Sequence, residues 1–125
     1  MPWKAVECDD YLKRKKDFNK KWPQEMMAIA ANLATLFQSL NAGVKPEQLK
    51  NFGFVHSEPL GILAITERGV SKGTKPKAIR LYVYADQKTE TAHLMLIGDK
   101  QPQNQAHDIK MCKKYVEDLT ASRDA

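Results

Sequence analysis

Arg80-Leu81-Tyr82-Val83-Tyr84-Ala85-Asp86, then Gln87-Lys88-Thr89-Glu90, then Thr91-Ala92-His93-Leu94-Met95-Leu96-Ile97-Gly98-Asp99-Lys100, is the stretch whose reading decides the fold. Two runs rich in aromatic and β-branched residues flank four polar ones, the pattern of two antiparallel strands and a tight turn. Side chains alternate between the faces of a strand. Ile79, Leu81, Val83 and Ala85 therefore share one face, and Arg80, Tyr82, Tyr84 and Asp86 the other. In the second strand Ala92, Leu94 and Leu96 form the apolar set, which turns His93 and Met95 toward Arg80 and the tyrosines.

Upstream, Gly69 to Lys77 holds two glycines, a proline and three lysines and reads as a basic loop. Leu60 to Arg68 before it reads as a strand, with Thr66 and Arg68 on one face and Glu67 on the other. Val44 to Pro59 carries Pro46, Gly53 and Pro59 and reads as a connecting segment. The clearest helix lies before that. Met26, Ile29, Ala30, Leu33, Phe37 and Leu40 recur at three and four residues, and Gly43 suits the left-handed turn that closes a helix. An earlier helix carries Tyr11, Phe18 and Trp22 on one face, with Asp9 or Asp10 to cap it. Pro23 separates the two helices, and Trp3 to Cys8 reads as a first strand. Downstream, Gln103 to Thr120 forms a last helix with Ile109, Cys112, Val116 and Leu119 as its seam. The expected fold is one α+β domain over residues 1–125. It has an N-terminal strand and a helical hairpin packed on a small antiparallel sheet, and a C-terminal helix closes it.

A chain of 125 residues is long enough for one sizeable core, since chains of roughly 150 residues bury about two thirds of their unfolded surface. The net charge of +5 and the pI near 9.2 point to an anionic partner such as RNA, DNA, the ribosome or an acidic protein. Cys8 and Cys112 form no Cys-x-x-Cys pattern and read as two thiols of a reducing cytosol. The longest apolar run, Met26 to Ala31, is far short of the ~20 residues of a membrane span, and no secretory leader pattern is visible. The expectation is a cytoplasmic protein with no membrane contact. His56 and His107 lack metal-ligand spacing, so neither a metal nor a cofactor is expected.

With the hairpin faces so assigned, one side of the sheet carries Arg68, Arg80, Tyr82, Tyr84 and His93. Lys72, Lys75, Lys77 and Lys100 lie at its rim. Cations for phosphates and aromatic rings for unstacked bases make this an RNA-like surface. The same residues have a plainer reading, in which the tyrosines pack under the last helix and Arg80 makes a salt bridge. The run Lys13-Arg14-Lys15-Lys16, with Lys20 and Lys21, reads as a solvated helix face, or as a contact for ribosomal RNA or an acidic partner.

From Arg80 onward the chain resembles the RelE/HigB/ParE superfamily of bacterial toxins, in its HigB-like branch. The likeness rests on Ile79-Arg80-Leu81-Tyr82, on Leu94-Met95-Leu96-Ile97-Gly98-Asp99-Lys100, on Gln101-Pro102-Gln103 and on Asp108-Ile109-Lys110. Glu67-Arg68 resembles the Glu-Leu-Arg that usually ends the second strand. The resemblance covers about a third of the chain at motif level, and the helical hairpin matches in pattern.

The resemblance implies a RelE-like fold and a toxin silenced by a cognate antitoxin, with a heterotetramer among the assemblies it allows. It implies a ribosome-dependent, metal-independent endoribonuclease, an mRNA interferase that stops translation. Such cleavage requires a deprotonated 2′-hydroxyl, a stabilised phosphate and a protonated leaving oxygen. Arg80 is the candidate for the phosphate, with Arg68 second. Lys100 or His93 is the candidate for proton transfer, since histidine titrates in the right range and a lysine does so beside other cations. Tyr82, Tyr84, Lys72, Lys75 and Lys77 are the candidates for binding nucleic acid. Two alternatives stand beside this: a ParE-like inhibitor of DNA gyrase, and a non-catalytic member that binds nucleic acid or protein. A convergent cluster of Arg68, Arg80 and Lys100 favours the nuclease. Side chains spread apart or sealed beneath the last helix favour the others.

Overall fold

The computed structural model describes residues 2–67, 79–99 and 101–124, with side chains as far as 122. The basic loop from Gly69 to Lys77 lies outside the described residues. The element order is β1 (Lys4–Glu7), α1 (Asp9–Lys21), α2 (Pro23–Asn41), β2 (Val55–Ser57), β3 (Ile62–Ile65), β4 (Ile79–Asp86), β5 (Thr91–Asp99) and α3 (Pro102–Asp124). Two short 3-10 turns, Pro46–Asn51 and Pro59–Gly61, flank β2. The fold is α+β. A five-stranded mixed sheet runs in the order β1-β5-β4-β3-β2, antiparallel except where β1 joins β5 in parallel.

Local chemistry explains the helices. Pro23 opens α2 at its first position, where a missing amide is harmless. Gly43 takes a φ of +100°, which lets its amide reach the Leu40 carbonyl as the helix ends. Asp9 and Asp10 do not cap α1. Cys8 holds the capping position without a side-chain bond, and both carboxylates lie in the first turn, where they favour the helix dipole.

The α1–α2 hairpin covers one face of the sheet. Tyr11, Met26, Ile29, Leu36 and Leu40 meet Leu63, Ile65, Ile79, Leu81, Val83, Leu94 and Ile97 there. The seam of α2 is rotated from the expected stripe: Ala30 is exposed, Leu36 is fully buried, and buried Asn32 donates to the Thr66 carbonyl at 2.7 Å. The segment read as a connection contains β2, whose three residues pair with β3. The strand expected over Leu60 to Arg68 is confined to Ile62–Ile65, because Leu60 and Gly61 take positive φ values that break the extended backbone.

The opposite face of the sheet is also covered. Cys112 and Val116 of α3, with half-buried Ile109, Met111 and Tyr115, pack on Ile62, Ala64, Tyr82, Met95 and Leu96. Of the two readings of this face, the plainer one is observed: Tyr82 and Tyr84 pack in the α3 layer and Arg80 pairs with Glu58. Leu96 also changes sides. A bulge pairs Tyr82 with Leu96 and Val83 with Leu94, leaving Met95 without a partner. Met95 and Leu96 both turn toward α3, while Leu94 and Ile97 face the hairpin.

Candidate functional site

The site is the α3 face of β4 and β5. Strand alternation places Arg80, Tyr82 and Tyr84 there on β4, and His93 enters from β5 opposite Tyr84. Arg68, Lys72, Lys75, Lys77 and Lys100 lie outside the described residues.

Arg80 reaches across 22 residues of chain to Glu58, which precedes the 3-10 turn Pro59–Gly61. The Nη1–Oε1 separation is 3.4 Å, and the two side chains are 12% and 15% exposed. Charge-assisted hydrogen bonds of this kind usually close to about 2.7–2.9 Å, so the hold is loose for a nearly buried pair. The Nε of Arg80 is buried with no hydrogen-bond partner among the described residues. A guanidinium with one long contact and one unused donor has the capacity to grip a phosphate oxygen.

Tyr82 is fully buried beneath α3, and its hydroxyl has no hydrogen-bond partner among the described residues. Burial pushes its phenol far up, against the pull of the Arg80 cation, so it stays protonated. His93 is 8% exposed, and its Nδ1 lies 2.9 Å from the hydroxyl of Tyr115 on α3. Its ring centroid stands 6.4 Å from that of Tyr84 and 5.6 Å from that of Tyr115. Burial and a hydrogen bond with Cys8 keep the Tyr115 phenol protonated as well. The α3 docking thus engages His93 and seals Tyr82, whereas Tyr84 stays half-buried at the edge of the covered zone.

A second cluster fixes α3 in place. Arg14 of α1 donates from Nη1 to the Ile97 carbonyl at 3.2 Å and to Asp108 Oδ1 on α3 at 3.0 Å. Asp108 is only 1% exposed, and its other oxygen, Oδ2, has no partner. Burial raises its pKa, opposed by the Arg14 cation. The carboxylate lies directly against Gly98, where a Cβ would collide with Asp108 Oδ2. The glycine and the aspartate are thus two halves of one contact: a residue without a side chain on β5 makes room for a carboxylate on α3. In this pair Gly98, near the end of β5, and Asp108, in the second turn of α3, seat the helix. Asp99 contributes by accepting from the Gln101 amide and the Asn104 side chain.

Sequence reasoning overlooked Arg14, Glu58 and Tyr115. The one signal for Arg14 is its identity, a single arginine among lysines, since a planar fork suits a buried carboxylate better than an ammonium does. The neighbouring lysines behave as the solvated face expected of them: Lys15 pairs with Glu7 at 2.9 Å and Lys21 with Asp17 at 3.3 Å.

Both cysteines are free. They line one small cavity of about 200 Å³ between the start of α1 and α3. Burial pushes the Cys112 thiol up to about 12, and the Cys8 thiol is raised for the same reason. Among the described residues no three histidine, cysteine or carboxylate side chains group as a metal site, and no helix is long and apolar enough to cross a membrane. Set against protein-family models, curated proteins and solved structures, the chain matches none.

Proposed function

We propose that this chain is the toxin of a toxin–antitoxin pair, of RelE/HigB/ParE kind, acting in the cytoplasm as a ribosome-dependent endoribonuclease on mRNA. The observation that carries the reading is Arg80. An arginine on an inner strand is costly unless paired or used, and among the described residues this one has a single 3.4 Å contact and a buried, unused Nε. Tyr82, Tyr84 and His93 share its face, so a phosphate beside Arg80 has aromatic rings and an imidazole for neighbours. Cleavage needs α3 to lift from the sheet, because His93 and Tyr82 are otherwise covered. His93, freed from Tyr115, then supplies or takes the proton. Arg80, freed from Glu58, stabilises the crowded phosphate. Arg68 and Lys100 are the further candidates, and a cognate antitoxin is the partner expected to silence the site.

One observation favours a second reading. The sealing of Tyr82 and His93 under α3 suits a member that keeps the helix docked and works without nuclease chemistry, as a gyrase inhibitor or a binding protein.

Expression in bacteria separates the readings. The expected result is growth arrest with mRNA cut within translated codons. Arg80→Ala should lower the cleavage rate about 10²–10³-fold, the loss that follows removal of one donor from a developing charge, while leaving the fold intact by circular dichroism. Arrest with intact mRNA and relaxed plasmid DNA refutes the nuclease in favour of gyrase inhibition. The absence of any arrest refutes both in favour of a binding protein.

A further inference from the structure

A cavity of about 430 Å³ opens beside the covered face, where the β2–β3 ladder ends and the chain turns through Pro59–Gly61. It is within the size range of small-molecule sites, roughly 300–1,000 Å³. Lys50, from the turn before β2, and Lys88, from the β4–β5 turn, both line it. Both are exposed, and neither is in an ion pair among the described residues. Tyr84 contributes its half-buried ring to the wall, so this member of the aromatic set remains reachable with α3 docked. At the rim, Leu60 is 48% exposed and holds a φ of +61°, a conformation that a non-glycine residue adopts at a cost. Strain of this kind clusters at ligand clamps.

The lining also carries Glu47 and Asp86. Two cations and two carboxylates around one aromatic ring do not suit a polyanion gripped by charge alone. They suit a unit with one phosphate, a flat base and several hydrogen-bond donors. We infer that this cavity is a subsite for one nucleotide of single-stranded RNA, with its base against Tyr84, its phosphate between Lys50 and Lys88, and its ribose hydroxyl or base amino group toward Glu47. The inference rests on the proposed action on mRNA and deepens it. The cavity receives RNA while α3 is still docked. Its rim turn, Pro59–Gly61, begins next to Glu58, the residue that holds Arg80. A nucleotide seated there is adjacent to the contact that must open for Arg80 to be used.

The test is fluorescence anisotropy of the purified full chain with a labelled single-stranded oligoadenylate of eight nucleotides. The Lys50→Ala/Lys88→Ala pair should weaken binding about tenfold or more. It should also flatten the salt dependence by about 0.7 in log–log slope, the contribution of the one single-strand phosphate that the two lysines hold. Tyr84→Leu should cost about tenfold, the loss expected of one stacked base, and Tyr84→Phe should keep the affinity. Lys13→Ala/Lys21→Ala on α1 removes the same charge and should change binding less than about threefold, as expected for charges that make no phosphate contact. Equal losses from the two lysine pairs overturn the subsite, as does the absence of binding. A DNA oligonucleotide bound as tightly as RNA overturns the assignment to RNA. An acidic peptide whose binding depends on these residues more strongly than RNA binding does overturns the nucleotide. The two proposals fail separately. RNA held at this cavity by a chain that leaves cellular mRNA intact refutes the nuclease alone. Cleavage undiminished in the Lys50→Ala/Lys88→Ala pair, with RNA affinity unchanged, refutes the subsite alone.

Discussion

Gly98→Ala places one methyl group where the structure has none to spare. The new Cβ collides with Asp108 Oδ2, lies 3.1 Å from Asp108 Cγ and 3.5 Å from Arg14 Nη1. All three atoms belong to the contact that holds α3 to the sheet. At Gly98 the backbone of β5 is held by its ladder to β4, where it pairs with Arg80, so α3 has to move. An extra methyl in a packed interior costs about 1–3 kcal/mol. Separating a buried ion pair costs about 3–5 kcal/mol when one partner is left uncompensated. Arg14 is 35% exposed and regains water once Asp108 leaves, so the lower range applies. A loss of about 2–3 kcal/mol by urea unfolding is expected, or roughly 10 °C in melting temperature for a chain of this size.

The decisive measurement is a double-mutant cycle with Asp108→Ala. That substitution removes the carboxylate with which the methyl collides. Gly98→Ala/Asp108→Ala should then be more stable than the sum of the single losses predicts, by about 1–3 kcal/mol, the coupling usual between residues in contact. Additivity within about 0.5 kcal/mol, or a Gly98→Ala variant as stable as the parent, would refute the account of how α3 is seated.

Two further outcomes follow from the same interface. Asp108 has a folded pKa above its unfolded one, so the stability it lends is full below the ordinary carboxylate range and declines as pH rises through the raised folded value. Urea unfolding from pH 4 to 7 should therefore show the parent losing stability relative to Asp108→Asn, and a constant difference across that window would contradict the burial of the ionised group. The Cys112 thiol, at about 12 and buried under α3, should be alkylated at pH 8 only at the rate at which α3 opens. Gly98→Ala should accelerate that reaction, and labelling of Cys112 as fast as that of an unfolded peptide would refute a docked α3.

The α1–α2 hairpin, the β4–β5 pair and α3 were legible because each repeats its polarity at the period of its own structure. Ile79, Leu81, Val83 and Ala85 did point to the helices as alternation requires. The bulge was illegible for a definite reason. Leu94-Met95-Leu96-Ile97 is apolar at every position, so no polar residue marks where the alternation slips by one. The seam of α2 went astray for a similar cause: Leu36 and Phe37 adjoin, and only the sheet decides which points inward. β2, with three residues between a glycine and a proline, carries too little pattern to register as a strand. The contacts that define the site are non-local. Arg14 meets Asp108 across 94 residues and Arg80 meets Glu58 across 22, and no periodicity reports on either. The sequence showed which side chains share the face with Arg80. It left open whether α3 lies over them, because an amphipathic seam says that a helix docks and does not say where.

The parallel pairing of β1 with β5 has a consequence for the order of events during synthesis. Lys4 lies beside Thr91 and Glu7 beside Leu94, so among the described residues the first strand made finds its ladder partner in the last. Until β5 has left the ribosome, β1 has nothing to join, and the α1–α2 hairpin lacks much of the surface it packs on. Long-range pairings of this kind make folding late and slow, because the chain must close a large loop before any contact rewards it. A nascent chain interrupted before β5 cannot complete the sheet that carries Arg80. Any activity that needs the complete sheet therefore begins only once β5 has been made.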